Sequence, residues 1–284
     1  PLAAISRRYG VNVRYLDLAP LWEQGPDALL ERLEALVTPR TRLIALSHVL
    51  WVNGAVLPLQ AICAFARARR IRVLADGAQS TGAIPVDVKA LGVDFYALPG
   101  QKWLCGPEGT GALYVAEDAL GDVDLSFSGY MSVVAFDVCG PYFVPRPGTA
   151  RFEVGMPLPA ALVGFERSLA WLQDDVGLDR ALERTQRSAR TLRQRLAALD
   201  GVTVLSPDPK RWPLAGLVTF RIDGWDDAAL AAHLERQGFW VRPLPALFGG
   251  VRVSTGFYVS DEQIDALIDA LAELPDPAEV SDPS

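Results

Sequence analysis

Val73-Leu74-Ala75-Asp76-Gly77-Ala78-Gln79-Ser80 is the stretch on which the fold turns. An apolar run stops at an acid and is followed by a small pair and an amide, the grammar of a buried strand that opens into a tight turn. Working outward, residues 12 to 115 alternate short β-branched or apolar runs with amphipathic stretches, as βαβ units around a largely parallel sheet do. Strands are expected at 12–16, 42–46, 72–75, 94–97 and 111–115, with helices at 26–37 and 58–69 between the first three. Ligands of open α/β sheets bind beyond the carboxyl ends of the strands, where Asp76 falls. An isolated D-G-A also serves as a turn or helix cap, so Asp76 alone leaves both readings open.

Beyond this half, residues 126–148 are rich in Gly and Pro with few periodic apolar positions, and read as an irregular active-site loop and domain connection. Helical spacing returns at 159–174 and 178–199. Strands at 202–205, 217–221, 240–242 and 251–254 with helices at 228–237 and 261–271 then describe a smaller α+β unit. The expected division is a large domain at 1–158, and connecting helices with a C-terminal small domain at 159–284. The tail after Leu274 is acidic and proline-bearing, and is expected to be loose.

Half of the 284 residues are hydrophobic and 21% are charged, so a sizeable core is expected rather than a disordered chain. The net charge of -7 gives no broad attraction for a phosphate backbone, which turns attention from nucleic acid to small molecules or another copy of the chain. Cys63, Cys105 and Cys139 are odd in number and form no C-x-x-C pair, which argues against a disulfide framework and a zinc site. No apolar run is long enough to span a bilayer, and the start lacks the plan of a signal peptide; a cytoplasmic location is the expectation.

The second decisive stretch is Asp94-Phe95-Tyr96-Ala97-Leu98-Pro99-Gly100-Gln101-Lys102-Trp103, a strand that runs into a small-residue turn and a lysine beside a tryptophan. Most lysines are solvated surface charges. Lys102 lies instead among Pro99-Gly100, Trp103-Leu104 and Cys105-Gly106-Pro107, and is expected to be partly desolvated, with the depressed pKa that Schiff-base chemistry requires. An amine for an aldehyde and an acid for a pyridine nitrogen together fit one cofactor, pyridoxal 5′-phosphate (PLP).

With those residues in place, the chain resembles the class V aminotransferase branch of fold-type-I PLP-dependent enzymes, most specifically over residues 43–115. The resemblance continues more loosely through Arg151-Phe152-Glu153-Val154-Gly155 and Val251-Arg252-Val253-Ser254. It implies an α/β fold with a mostly parallel large-domain sheet and a smaller α+β C-terminal domain. By the same resemblance Lys102 is the cofactor lysine and the base that moves the substrate α-proton, and Asp76 holds the ring nitrogen. Gln79 bonds the phenolic oxygen, and Gln101, where relatives often carry histidine, offers an N–H to the phosphate. Arg252 clamps the substrate carboxylate through paired hydrogen bonds. His48, in a Ser-His-Val element, lies near the cofactor, and Trp51, where many relatives have asparagine, shapes a pocket for an apolar or bulky substrate group.

Within this branch, desulfurases place a catalytic cysteine on a loop shortly before the carboxylate-binding arginine. Residues 242–250 hold no thiol. The wording around Ser47 to Pro58 and Lys102 to Pro107 resembles cystine or cysteine C–S lyases and isopenicillin-N-epimerase-like members, and a C–S lyase is the first expectation. An aminotransferase or epimerase with the same residues is the alternative, and a non-catalytic or truncated family member a third. For the last speak the start at Pro1, within a helical stretch, so that the N-terminal part carrying ring-stacking and phosphate-binding residues is expected to be missing, and Met156 where relatives often carry threonine. The resemblance also implies a homodimer acting on an amino-acid substrate.

Overall fold

The computed structural model describes residues 2–275. Three strands, β1 (Leu43–Ser47), β2 (Arg72–Asp76) and β3 (Phe95–Pro99), pair in parallel, and β4 (Gly111–Val115) closes the sheet antiparallel to β3. The helix α3 (Leu59–Arg67) crosses from β1 to β2 and buries Leu59, Ile62, Cys63 and Ala66. Three of these join Val73, Ala75, Val93 and Tyr96 in one apolar cluster. Each buried aliphatic side chain of this kind contributes roughly 1.5–3 kcal/mol relative to exposure. Cys63 is thereby a core residue, its thiol pushed up to about 11 by burial.

The base of β2 is fixed by charge. Arg72 meets the buried Asp94 at 2.7 Å and also reaches Asp118 and Asp122, while Asp94 accepts the Val73 N–H at 2.7 Å. A buried carboxylate shared between a guanidinium and an amide is satisfied at both oxygens, which sets the register of β2 against β3.

The second sheet is antiparallel throughout, in the order β7 (Val202–Val204), β8 (Leu217–Ile222), β10 (Val251–Ser254), β9 (Arg242–Pro243). Its core unites Val218, Phe220 and Val251 with Leu192 and Leu196 of α6 (Leu178–Leu196), Leu230 and Leu234 of α7 (Asp227–Arg236), and Ile264, Leu267 and Ile268 of α8 (Asp261–Ala272). Ser260 and Gln263 form a capping box that starts α8. Among the described residues no helix is long and apolar enough to cross a membrane.

Several expectations are corrected. Residues 12–16 are not a strand: β1 pairs with β2 alone. The segment lies along α2 (Pro26–Leu36) instead, with the Arg14 guanidinium donating to the Leu36 carbonyl and Leu16 packed beside Leu21 and Leu29. A β-branched run becomes a strand only where a neighbour completes its hydrogen bonds. Residues 126–148 are not wholly irregular, because β5 (Val133–Phe136) and β6 (Phe143–Pro145) form a bulged hairpin. Its strands are short and lie exposed, so no burial alternation marked them. The expected strand at 240–242 is confined to Arg242–Pro243, with Trp240 85% exposed before it. Helix 159–174 is α5 (Pro159–Ala170) continued by a π-helical turn, Trp171–Val176. The tail from residue 276 lies outside the described residues.

Candidate active site

Parallel pairing aligns Ser47 with Asp76 and Asp76 with Ala97, so the carboxyl ends of β1, β2 and β3 share one edge. Asp76 is the last residue of β2 and is exposed. Its Oδ1 accepts the Ala78 N–H at 2.8 Å, while Oδ2 accepts no hydrogen bond among the described residues. Gly77 follows because nothing larger fits: a Cβ there would run into the Tyr96 ring.

Lys102 stands in the turn after β3. That turn is held by Gly100 N–H on the Thr110 carbonyl and Gly106 N–H on the Gly100 carbonyl, both 2.8 Å, with Cys105 N–H on the Lys102 carbonyl at 3.0 Å. The Phe165 ring of α5 packs where side chains on Gly100 and Gly106 would stand. Trp103 and Leu104 are buried and anchor the turn, but Lys102 itself is exposed, as is Gln101. The expectation of a desolvated lysine is therefore corrected: its apolar neighbours point inward to hold the turn, and they do not cover the amine.

Trp103 also ties the two turns together. Its indole N–H donates to Gln79 Oε1 at 2.9 Å. An indole only donates, so this bond fixes the amide with its Nε2 free to donate elsewhere. The same ring packs with Ala83 and Leu217 and fills the space above Gly216. Leu217 pairs with Ser254, which carries the contact to β10 and Arg252.

Arg252 is half-buried, donates to the Trp51 carbonyl at 2.8 Å and holds its guanidinium 6.0 Å from the Trp51 ring centroid. Its Nε is buried with no partner. Burial, with the neighbouring Arg242 adding to it, pushes its pKa down. Trp51 meets Phe248 edge to face at 5.5 Å. Residues 201 positions apart thus meet at one arginine.

His48 lies beneath this edge. It is 4% exposed, and its Nδ1 sits 2.9 Å from the Tyr96 hydroxyl. Burial pushes its pKa down to about 4. The neutral ring is thus favoured in the fold, and the unfolded chain binds the extra proton between about pH 4 and the ordinary histidine value near 6.5. Stability contributed by this group is present above pH 6.5 and lost as pH falls toward 4, by about 3 kcal/mol at most. Urea unfolding at pH 7, 5.5 and 4.5 is expected to show that fall and a shallower one in His48→Leu; parallel pH dependences in the two proteins refute the assignment.

The family model described as Aminotransferase class-V matches residues 1–267. The chain belongs to this family. Among curated class-V relatives, it is 32% identical to a probable cysteine desulfurase of Xylella fastidiosa strain Temecula1 over 96% of this chain, and 31% identical to isopenicillin N epimerase of Streptomyces clavuligerus over 95%. It spans 66% of the length of the first and 69% of the second. A solved structure of the cystine C–S lyase C-DES with its reaction product cysteine persulfide superposes with a TM-score of 0.88 at 32% identity, covering 96% of this chain and 71% of that one. The same protein has been solved as a lysine-to-alanine variant with glycine covalently linked to its PLP cofactor.

Sequence reading of this class-V chain missed Tyr96, the orienting role of Trp103, and Phe248. It also missed Arg242, which is paired directly across from Arg252 on antiparallel strands. Opposed residues of an antiparallel pair project from the same sheet face, and like charges there repel. Two Val-Arg elements ten residues apart, at 241–242 and 251–252, were the available signal. Met156 is 81% exposed.

Proposed function

We propose that this chain forms the cofactor- and substrate-binding part of a PLP-dependent enzyme that removes the α-proton of an amino acid, and that the reaction is cleavage of the C–S bond of cystine or cysteine. The observation that carries the reading is the Trp103–Gln79 hydrogen bond, which locks the Asp76 turn and the Lys102 turn together and leaves the amide N–H groups of Gln79 to donate elsewhere. The residues present fit PLP at the ring: a carboxylate with a free oxygen, an oriented amide and an exposed amine share one sheet edge.

When bound, PLP supplies an electron-withdrawing ring that stabilises negative charge developing at the substrate α-carbon. Lys102 would hold the cofactor through its aldehyde, and its Nζ would be the base for the substrate α-proton. Asp76 Oδ2 would hold the ring nitrogen in its protonated form, Gln79 Nε2 would donate to the phenolic oxygen, and Gln101 would offer an N–H to the phosphate. His48 supports the edge from below. Arg252 has guanidinium N–H groups left for the substrate α-carboxylate, and Arg242 presents a second cation on the same face. Trp51 and Phe248 wall the side-chain pocket.

The cleavage reading rests on the thiols. Residues 242–250 contain none, Cys63 is buried, and Cys105, near Lys102, has its pKa raised by burial, which disfavours the thiolate; Cys139 is exposed but lies in the turn between β5 and β6 and not in the segment before Arg252. A lyase needs no protein thiol, since the α-proton leaves to Lys102 and the β-sulfur group departs with the C–S electron pair. The reading further takes residues 1–158 as the cofactor domain and 159–284 as helices and small domain of a cytoplasmic homodimer. Cystine given to the PLP-loaded chain is expected to yield pyruvate, ammonia and cysteine persulfide in equal amounts, unchanged when all three cysteines are replaced by serine. Loss of sulfur release in that variant identifies a desulfurase instead, and amino-group transfer to a 2-oxo acid without pyruvate identifies an aminotransferase.

A further inference from the structure

The Tyr96 side chain is fully buried and stands on β3, paired in register with Ala75 of the neighbouring β2. Its hydroxyl lies 2.9 Å from His48 Nδ1, just past β1, and 2.5 Å from Ser80 Oγ, in the turn after β2. Ser80 is also fully buried. The Tyr96 ring occupies the space that a side chain on residue 77 would need. The backbone closes around the same point: His48 N–H bonds the Asp76 carbonyl at 3.0 Å, Gly77 N–H bonds the Ala97 carbonyl at 2.7 Å, and the Ser80 and Thr81 N–H groups both return to the Gly77 carbonyl at 3.1 Å. Asp76 and Gln79 stand on the segment enclosed by these bonds, so neither can shift without disturbing the phenol.

We infer that Tyr96 is a positioning residue whose phenol, hydrogen-bonded to His48 and Ser80, fixes the Asp76–Gln79 turn and through it the carboxylate and amide that face the cofactor ring. The inference rests on the PLP reading for its consequence, but not for its geometry. Tyr96 is fully buried and acts only through the turn. Burial favours the neutral histidine and the neutral phenol alike, so the relay carries no charge. A network of neutral, fully buried partners makes a stiff support, because each atom left unpaired in the dry interior is costly.

Tyr96→Phe keeps the ring against Gly77 and removes only the hydroxyl. In the cofactor-free chain, amide hydrogen exchange at residues 78–81 is expected to quicken about tenfold, the equivalent of one net hydrogen bond, while β8 and β10 keep their protection. Ser80→Ala is expected to reproduce that local change. A uniform rise across the chain makes Tyr96 a mere core residue, and no rise denies it any role; either result overturns the inference. The second arm measures PLP affinity by borohydride trapping. Tyr96→Phe is expected to weaken binding about tenfold in the wild-type background and to add little on top of Asp76→Asn, since both changes act through one carboxylate. Full additivity rejects the route through Asp76. If the wild-type chain takes no PLP, the functional reading falls, while the exchange experiment still decides the role of Tyr96.

Discussion

Replacement of Lys102 by alanine is expected to abolish the borohydride-fixable attachment of PLP and to lower turnover about 10³–10⁴-fold, within the range that a positioned acid/base and nucleophile provides. Among the described residues no other lysine stands in the same place. The only other lysines are Lys89, in the short helix Val88–Leu91 that leads back into β3, and Lys210, between β7 and β8; neither stands in the turn directly after β1, β2 or β3. Lys102 is exposed, and the turn that carries it is held by backbone bonds and by Trp103 and Leu104. The alanine variant therefore folds normally, and its thermal unfolding midpoint should match that of the wild type. The decisive measurement is the visible spectrum with PLP, followed by borohydride reduction and mass mapping. A reduced adduct retained in Lys102→Ala, or turnover left intact, eliminates the central assignment.

Asp76→Ala is expected to lower kcat about 10²–10³-fold, comparable with the loss of one preorganised electrostatic partner. Its effect on the fold is small. The carboxylate is exposed, and its side chain makes one local bond, to the Ala78 N–H. The strand end remains held by the His48 and Gly77 backbone bonds. The expected kinetic signature is a fall in kcat larger than any change in KM, because the carboxylate acts on charge that develops after the substrate has bound. An unaffected rate at unchanged PLP occupancy rejects the ring-nitrogen role.

The strands that frame this site were legible in the linear sequence. The apolar run to Asp76 and the run to Pro99-Gly100 both became parallel strands with their carboxyl ends on one edge. The strand at 251–254 carrying Arg252 holds to the residue. Other features were hidden. Residues 12–16 have strand-like composition but pair with no strand among the described residues, and the hairpin of β5 and β6 lacks a buried face to impose alternation. The exposure of Lys102 was hidden too, because apolar neighbours in sequence can turn their backs on the residue between them.

What the sequence by itself determined was the order of strands and turns and the chemistry at their ends. These follow from local rules: side-chain period, small residues in turns, and the tendency of βαβ units to align their carboxyl ends. Tertiary structure alone decided which distant groups meet. It set Tyr96 between His48 and Ser80, turned the Gln79 amide by way of Trp103, placed Arg252 on the Trp51 carbonyl and paired it with Arg242. Such contacts join residues up to about two hundred positions apart, and their geometry is a property of sheet register and close packing, which no local pattern encodes.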